Sequence, residues 1–490
     1  MKYFLITFFS LFGFIFSQAQ ITFEKKYTVA GGFQGDPSIC STPDGGYAMV
    51  ESTINTSNAA IIRVDSVGNL LWKKQYSSGS SLDYFSSIIS THDHGFAVCG
   101  QTNEFAMTKI IVLKMDSVGN VIWSKYLGDP ANQLYAYSIQ ETANNDFIVM
   151  GNNQGQPPEA ALLACLDQSG NQLWSRLYSN QDIGWMGEAI ACRDNGFLFI
   201  EGIRNFSNET FMYVIKTDSL GQIQWGGCIR TDSIGQNGLG MAVRETYDNE
   251  FLLAGSCDDS TLLLVHLDAV GHIVWTKKHS FGFSVSIYNI SLDTTQEKGF
   301  ILAMNLGLPN GGYLVKLDNA GNIKWSKKYG TSNYEQFHKV ICLPNDNGYA
   351  ISGITNSGAS HPIYFVKTDT AGISGCEQII PHFSTNIIAT MDTVKTIYPG
   401  VSDAIVATSF TTLIVNEVDV CGTASIDPIY TKENISVFPN PSSGSFTVFA
   451  SSKILSIQVF DLFGNVVFEK TVDSNQETIN LSSQSKEFIL

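Results

Sequence analysis

Charge, and positive charge above all, is what this sequence has least of. Only 15% of its 490 residues are charged, and 29 Lys and Arg stand against 45 Asp and Glu, for a formal net charge of −16. No basic cluster offsets that balance. So acidic a chain repels phosphate backbones and anionic lipid, which disfavours nucleic acid and membrane surfaces as partners. Apolar runs long enough to span a bilayer are missing after the first twenty residues, so no transmembrane segment is expected. No stretch sustains apolar residues at i, i+3 and i+4 over a dozen positions, and Gly or Pro punctuates the chain throughout, which excludes helical repeats. Gly-x-Ser-x-Gly, His-Glu-x-x-His, Walker and calcium-loop motifs are absent, so no catalytic residue, metal or cofactor is assigned.

Cysteine pairs at metal-binding spacing are missing too. The nine cysteines are an odd number. Cys40, Cys192 and Cys342 fall at nearly the same phase of three repeats and so cannot touch; Cys99, Cys165, Cys228 and Cys257 are scattered without Cys-x-x-Cys spacing. They read as small buried hydrophobes rather than zinc ligands. Cys376 and Cys421 bracket a short segment outside the repeats and are the candidate disulfide pair.

What is present begins with an address. Lys2 supplies a positive start, residues 3–16 are an almost unbroken apolar run, and Ser17, Gln18 and Ala19 offer a small-residue cleavage site. Residues 1–19 therefore read as a signal peptide cleaved after Ala19, since an apolar run of 14 is short of the about 20 that a spanning helix needs.

Then comes a repeat. The pattern Asp-x-x-Gly-x-x-x-Trp occurs six times, as Asp65, Gly68 and Trp72; Asp116, Gly119 and Trp123; Asp167, Gly170 and Trp174; Asp218, Gly221 and Trp225; Asp268, Gly271 and Trp275; Asp318, Gly321 and Trp325. Successive tryptophans lie 51, 51, 51, 50 and 50 residues apart, the mark of tandem duplication. A second landmark, an aromatic opening an apolar run after Gly, Asn or Asp, occurs seven times: Tyr47, Phe96, Phe147, Phe197, Phe251, Phe300 and Tyr349. The preceding residues, such as Asp93, His94 and Gly95, suit tight hairpins better than a metal site. Within one unit, strands are predicted at 83–90, 96–101, 108–115 and 121–126, with a type I turn at 116–120. Four antiparallel strands in about 50 residues make a propeller blade.

The unit shares its length and glycine pair with kelch repeats, and its Asp-x-x-Gly-x-x-x-Trp turn more closely resembles the tryptophan-docking motif of quinoprotein-like propellers. That resemblance implies a Trp on the outermost strand packed against the neighbouring blade. It implies no quinone, because the motif supplies no converging charged residues.

Phe23, Lys25 and Tyr27 match Trp72, Lys74 and Tyr76 as an outer strand ahead of every complete unit, while the last copy stops at Asp369-Thr370-Ala371-Gly372. Together they give an all-β, seven-bladed propeller over residues 20–372, closed by its N-terminal strand. Residues 373–430 read as a linker or small β module.

Twelve residues before each second-strand aromatic stand Gly35, Tyr84, Tyr135, Trp185, Leu239, Tyr288 and Phe337. Tyr84, Tyr135, Trp185, Tyr288 and Phe337 are ligand platforms if they face the axial mouth, and core if they face sideways. The loop from Cys228 to Gly240 lengthens one unit, yet Asp232 lacks a His or second acid at a recognisable spacing.

Residues 431–490 differ again. Val437-Phe438-Pro439-Asn440-Pro441, then Gly444, then Ile457 through Asp461, Gly464 and Val467, resemble the type A C-terminal sorting domain of type IX secretion cargo, an Ig-like β-sandwich. The resemblance implies passage through the periplasm and across the outer membrane of a Bacteroidetes-type bacterium, with the secretion machinery as partner and release or surface attachment as the end. The chain stops at Lys486-Glu487-Phe488-Ile489-Leu490, before the family's last basic strand, so the domain reads as incomplete at its end.

The expectation is a secreted or surface-displayed monomeric binding or scaffold propeller, with an extracellular glycan or protein as ligand. Two alternatives stand beside it: a polysaccharide-acting hydrolase or lyase at the axial mouth, and a purely structural surface or adhesion protein. Two carboxylates or a His/Tyr pair at the mouth would favour an enzyme; aromatics alone would favour binding.

Overall fold

Runs of β-branched, aliphatic and aromatic residues alternate with short turns, and the described residues accordingly contain strands and no helix. The computed structural model describes residues 21–28, 37–52, 59–77, 83–102, 108–128, 133–154, 160–179, 183–204, 210–231, 240–257, 261–281, 287–306, 311–330, 335–343, 348–355, 362–375 and 377–379, short strands from 383 to 419, and 436–438, 445–460 and 466–480. The signal segment and both Cys376 and Cys421 lie outside the described residues.

Blade 2 shows the unit: Asp83–Ser90, Phe96–Thr102, Lys109–Met115 and Val121–Leu127 form an antiparallel meander, each strand end within one residue of the sequence expectation. The innermost strands of blades 1 to 7 are Ile39–Ser41, Asp83–Ser90, Gln133–Glu141, Ile183–Ala191, Gly240–Glu245, Ile287–Thr294 and Glu335–Leu343. Each touches the next, and the last touches the first, so the blades close into a ring. Closure is by Phe23–Thr28, which pairs antiparallel with Ile363–Thr368 from Phe23 opposite Lys367 to Tyr27 opposite Ile363. The orphan strand at the start completes blade 7.

The repeated motif fastens one blade to the next. Asp116 Oδ1 accepts the amide N–H groups of Val118 and Asn120 at 3.0 and 2.7 Å, its Oδ2 takes the Asn120 side chain, and Gly119 closes the turn at φ +80°. Trp72 of the preceding blade lies against that glycine so closely that a Cβ there would sit 2.8 Å from the indole. Tyr76 completes the joint, donating its hydroxyl to Gly119 O at 2.8 Å. The joint recurs with Tyr178 on Gly221, Tyr329 on Gly372 and, across the closure, Tyr27 on Gly68. The two sequence landmarks also meet: Trp72, Trp123, Trp174 and Trp225 pack on Phe96, Phe147, Phe197 and Phe251 of the next blade, with ring centroids 5.7–6.4 Å apart. Between the blades, aliphatic strands from adjacent sheets form the core.

The hairpin acids do more than turn the chain. Asp93 takes the Gly95 amide and also the buried Lys114 ammonium at 2.8 Å; Asp194 takes Lys216 at 2.7 Å, and Asp44 takes Arg63. The cysteines fit the buried-hydrophobe expectation in part: Cys40, Cys99, Cys165 and Cys192 are buried free thiols, while Cys228 and Cys342 are half-buried.

The segment after the ring departs from expectation. Among the described residues, its strands form no separate module. They add a fifth strand to every blade: Gln378–Ile379 on blade 6, Phe383–Asn386 on blade 5, Ala389–Thr393 on blade 4, Thr396–Pro399 on blade 3, Asp403–Ile405 on blade 2, Ser409–Thr412 on blade 1, and Asn416–Asp419 on the closing strand of blade 7. This belt runs backwards round the ring, antiparallel to each outer strand it covers. The reason is edge pairing, since each fourth strand otherwise offers a row of unpaired backbone groups.

In the second unit, residues 422–490, Ser436–Phe438, Ser445–Phe460 and Val466–Asn480 form one three-stranded antiparallel sheet among the described residues.

Candidate axial site

Six innermost strands carry a β-bulge near their start. The ladder register shifts between Phe85 and Ser87, Ala136 and Ser138, Trp185 and Gly187, Gly240 and Ala242, Tyr288 and Ile290, and Phe337 and Lys339. A bulge leaves one residue out of the ladder and re-aims it. The residues so released include Ser86, Tyr137, Met241, Asn289 and His338, and all five line a cavity of about 350 Å³ bounded by residues of every innermost strand or its approach. Asn289 takes φ +39° to do so, and its side-chain amide donates to His338 Nδ1 at 2.8 Å.

Next to the bulges runs a ring of equivalent positions, each opposite the third residue after the second-strand aromatic: Ser38, Ser87, Ser138, Glu188, Ala242, Ser291 and Lys339. Four are serines. Ser38 Oγ accepts the Ile88 amide at 3.4 Å, Ser138 Oγ that of Ala189 at 3.1 Å and Ser291 Oγ that of Val340 at 3.1 Å, so the ring stitches successive blades together at the axis.

Blades 4, 5 and 7 break it. Glu188 keeps the stitch, accepting the Val243 amide at 3.3 Å, but its carboxylate also takes Arg244 Nη1 and Lys339 Nζ, both at 2.7 Å. Lys339 belongs to blade 7, so this pair is a strut across the axis. Arg244 is held in turn by Asp293 of blade 6 at 3.4 Å, and Asp293 accepts the Cys342 amide of blade 7 at 2.8 Å. Burial by itself pushes the Glu188 carboxyl up, but Arg244 and Lys339 overcome that and bring it down to about 2. Burial likewise opposes the Arg244 charge, and Glu188 with Asp293 more than offsets it, raising its pKa.

The proposed platforms divide. Tyr84 and Tyr135 line the cavity. Phe337 does not: it is 1% exposed, stacks on Tyr364 at 5.9 Å and packs on Tyr329, and is therefore core between blades. Register explains the split. Tyr84, Tyr135, Trp185 and Tyr288 pair with Gln101, Asn152, Gly202 and Asn305, each the fifth residue after its second-strand aromatic, whereas Phe337 pairs with Gly353, the fourth after Tyr349. Side chains alternate along a strand, so one count of twelve picks two different faces. The side chains of Trp185 and Tyr288, together with Gly35, Leu239 and Asp232, lie outside the described residues. The ring of Glu188 and Lys339 was missed, although a count of nine, ten in blade 7 with its longer hairpin, finds it.

Comparison with known proteins adds two findings. Residues 436–486 match the family described as the secretion system C-terminal sorting domain. Among solved structures the chain is similar to a protein of unknown function from Bacteroides caccae (13% identity, 62% of this chain and 93% of that one, TM-score 0.36). It is similar also to the polysaccharide lyase Uly1 (10%, 74% and 94%, TM-score 0.47) and to PorZ, a surface component of the type IX secretion system of Porphyromonas gingivalis (9%, 91% and 55%, TM-score 0.43). At these values the likenesses carry no shared activity. No curated protein matches the chain in sequence.

Proposed function

Since the chain carries a type IX secretion sorting domain and is thereby exported to the cell surface or beyond it, we propose that its propeller is an extracellular carbohydrate-binding module whose ligand occupies the axial cavity. The observation that carries this reading is the lining: Tyr84, Tyr135 and Tyr137 beside Gln101, Ser86 and Asn289 in about 350 Å³. Aromatic faces stack on sugar rings while hydroxyls and amides exchange hydrogen bonds with sugar hydroxyls, and the volume falls in the lower part of the about 300–1,000 Å³ range of small-molecule sites. A protein ligand would need a broad contact surface, which an axial cavity of about 350 Å³ does not offer. Screening the full-length protein on a glycan array, with Tyr135→Ala and Tyr137→Ala alongside, tests it: binding weakened at least tenfold by either change is expected, and no binding to any glycan, or binding indifferent to both, overturns it.

A second reading has an observation of its own. His338 and Tyr137 line the same cavity, a pairing suited to proton transfer at a sugar ring. Release of reducing or unsaturated ends from a polysaccharide, abolished by His338→Ala, would make the module an enzyme.

A further inference from the structure

The ionic groups of the axial cavity are already spoken for. Glu188 uses both carboxylate oxygens, on Lys339, Arg244 and the Val243 amide. Arg244 is shared among Glu188, Asp293 and the Val243 carbonyl, which it reaches at 2.6 Å. Two acids and two bases cancel, and Glu188 is buried while Lys339 stands on the cavity wall. A ligand carboxylate would have to share Lys339 with Glu188, weakening the pair and setting a second anion beside a buried one. A hydroxyl faces no such exchange, because serine, tyrosine and amide groups around the strut donate and accept equally.

Resting on the carbohydrate reading above, we infer that the Glu188–Lys339 strut makes the axial site selective for uncharged saccharides and excludes those bearing uronic acids. The strut is the specificity element: it converts what four serines would leave as an open, indifferent ring into a site whose charges are closed to competition. Glu188→Gln frees the Lys339 ammonium while keeping the shape of the side chain, so it should admit acidic glycans. The double variant Glu188→Gln, Lys339→Met removes both charges and should restore the preference for neutral ones.

The test is calorimetric titration of the full-length protein with neutral oligosaccharides and with uronate-containing ones of equal length. The expected result is neutral binding by the wild type, uronate affinity at least tenfold weaker, a gain of at least tenfold for uronates in Glu188→Gln, and loss of that gain in the double variant. Uronates bound by the wild type as well as neutral sugars would overturn the selectivity while leaving the binding site standing. If no saccharide of either class binds, the carbohydrate reading falls and the selectivity with it. Should Glu188→Gln fail to fold, the wild-type comparison and the double variant decide the question.

Discussion

Buried charge in this molecule follows a rule that one exception makes visible. In blades 1, 2 and 4 the cation near the end of the third strand neutralises the hairpin acid, and Asp93, which burial alone would push up, is brought down to about 2 by Lys114 and the turn. Blade 3 has Cys165 where that cation stands and Asn144 where that acid stands, and the carboxyl of Asp146, two positions on, is raised by burial and by Asp167. Burial also drives the Cys165 thiol up to about 12, so it is no nucleophile. Glu188 is the extreme member of the set. Its carboxyl lies below its ordinary 4.5 at about 2, so the stability it contributes is fully present above pH 4.5 and is lost as pH falls toward 2. Urea midpoints measured across that interval should fall, and Glu188→Gln should flatten the decline while costing about 3 kcal/mol at neutral pH for the stranded cations. An unchanged acid limb in the variant would remove Glu188 from the account. None of this pairing was legible in the sequence, where Asp93 and Asp44 read as turn formers; the partner lies some twenty residues away on another strand.

At the scale of elements, blade geometry was almost fully legible. Local pattern and turn chemistry fixed the strands of blade 2 to within a residue, because a hairpin forces its own register. The inner ring could be counted, nine residues back from the second-strand aromatic, but a count of twelve runs past the bulge, which shifts register by one without leaving a mark in composition. The motif's role as a fastener can be measured at its glycine. Gly119→Ala places a Cβ 2.8 Å from the Trp72 ring at φ +80°, so both strain and overpacking apply, and a loss of about 2–4 kcal/mol in chemical denaturation is expected. Gly45→Ala shares the positive φ, at +82°, but its Cβ would meet only Ser66 at 3.8 Å, and should cost about 1 kcal/mol. Equal losses at the two sites would show that the indole contact contributes nothing.

At the scale of the molecule, the belt is what the sequence concealed. Its strands are two to five residues long and follow no repeat, since each segment is shaped by the edge it covers rather than by a face of its own. Its seven pairings protect seven outer edges at once. A chain ended at Gly375 should therefore keep a ring, because the four-stranded blades and the closing strand are intact, but expose those edges. Such a chain is expected to self-associate at micromolar concentration in sedimentation experiments where the full chain does not. A truncated chain that stayed monomeric would show that the belt protects no edge.

The sheet of blade 7 contains the earliest strand of the ring, Phe23–Thr28, the last one of the ring, Ile363–Thr368, and the final strand of the belt, Asn416–Asp419, side by side. Counted from Phe23, those two partners begin 340 and 393 residues further along the chain. The earliest strand must therefore wait, unmated, until Ile363–Thr368 has been made, and no chain terminated before that strand can reach the closed state. Completion of this single sheet acts as a check that the entire propeller has been made before the fold is sealed.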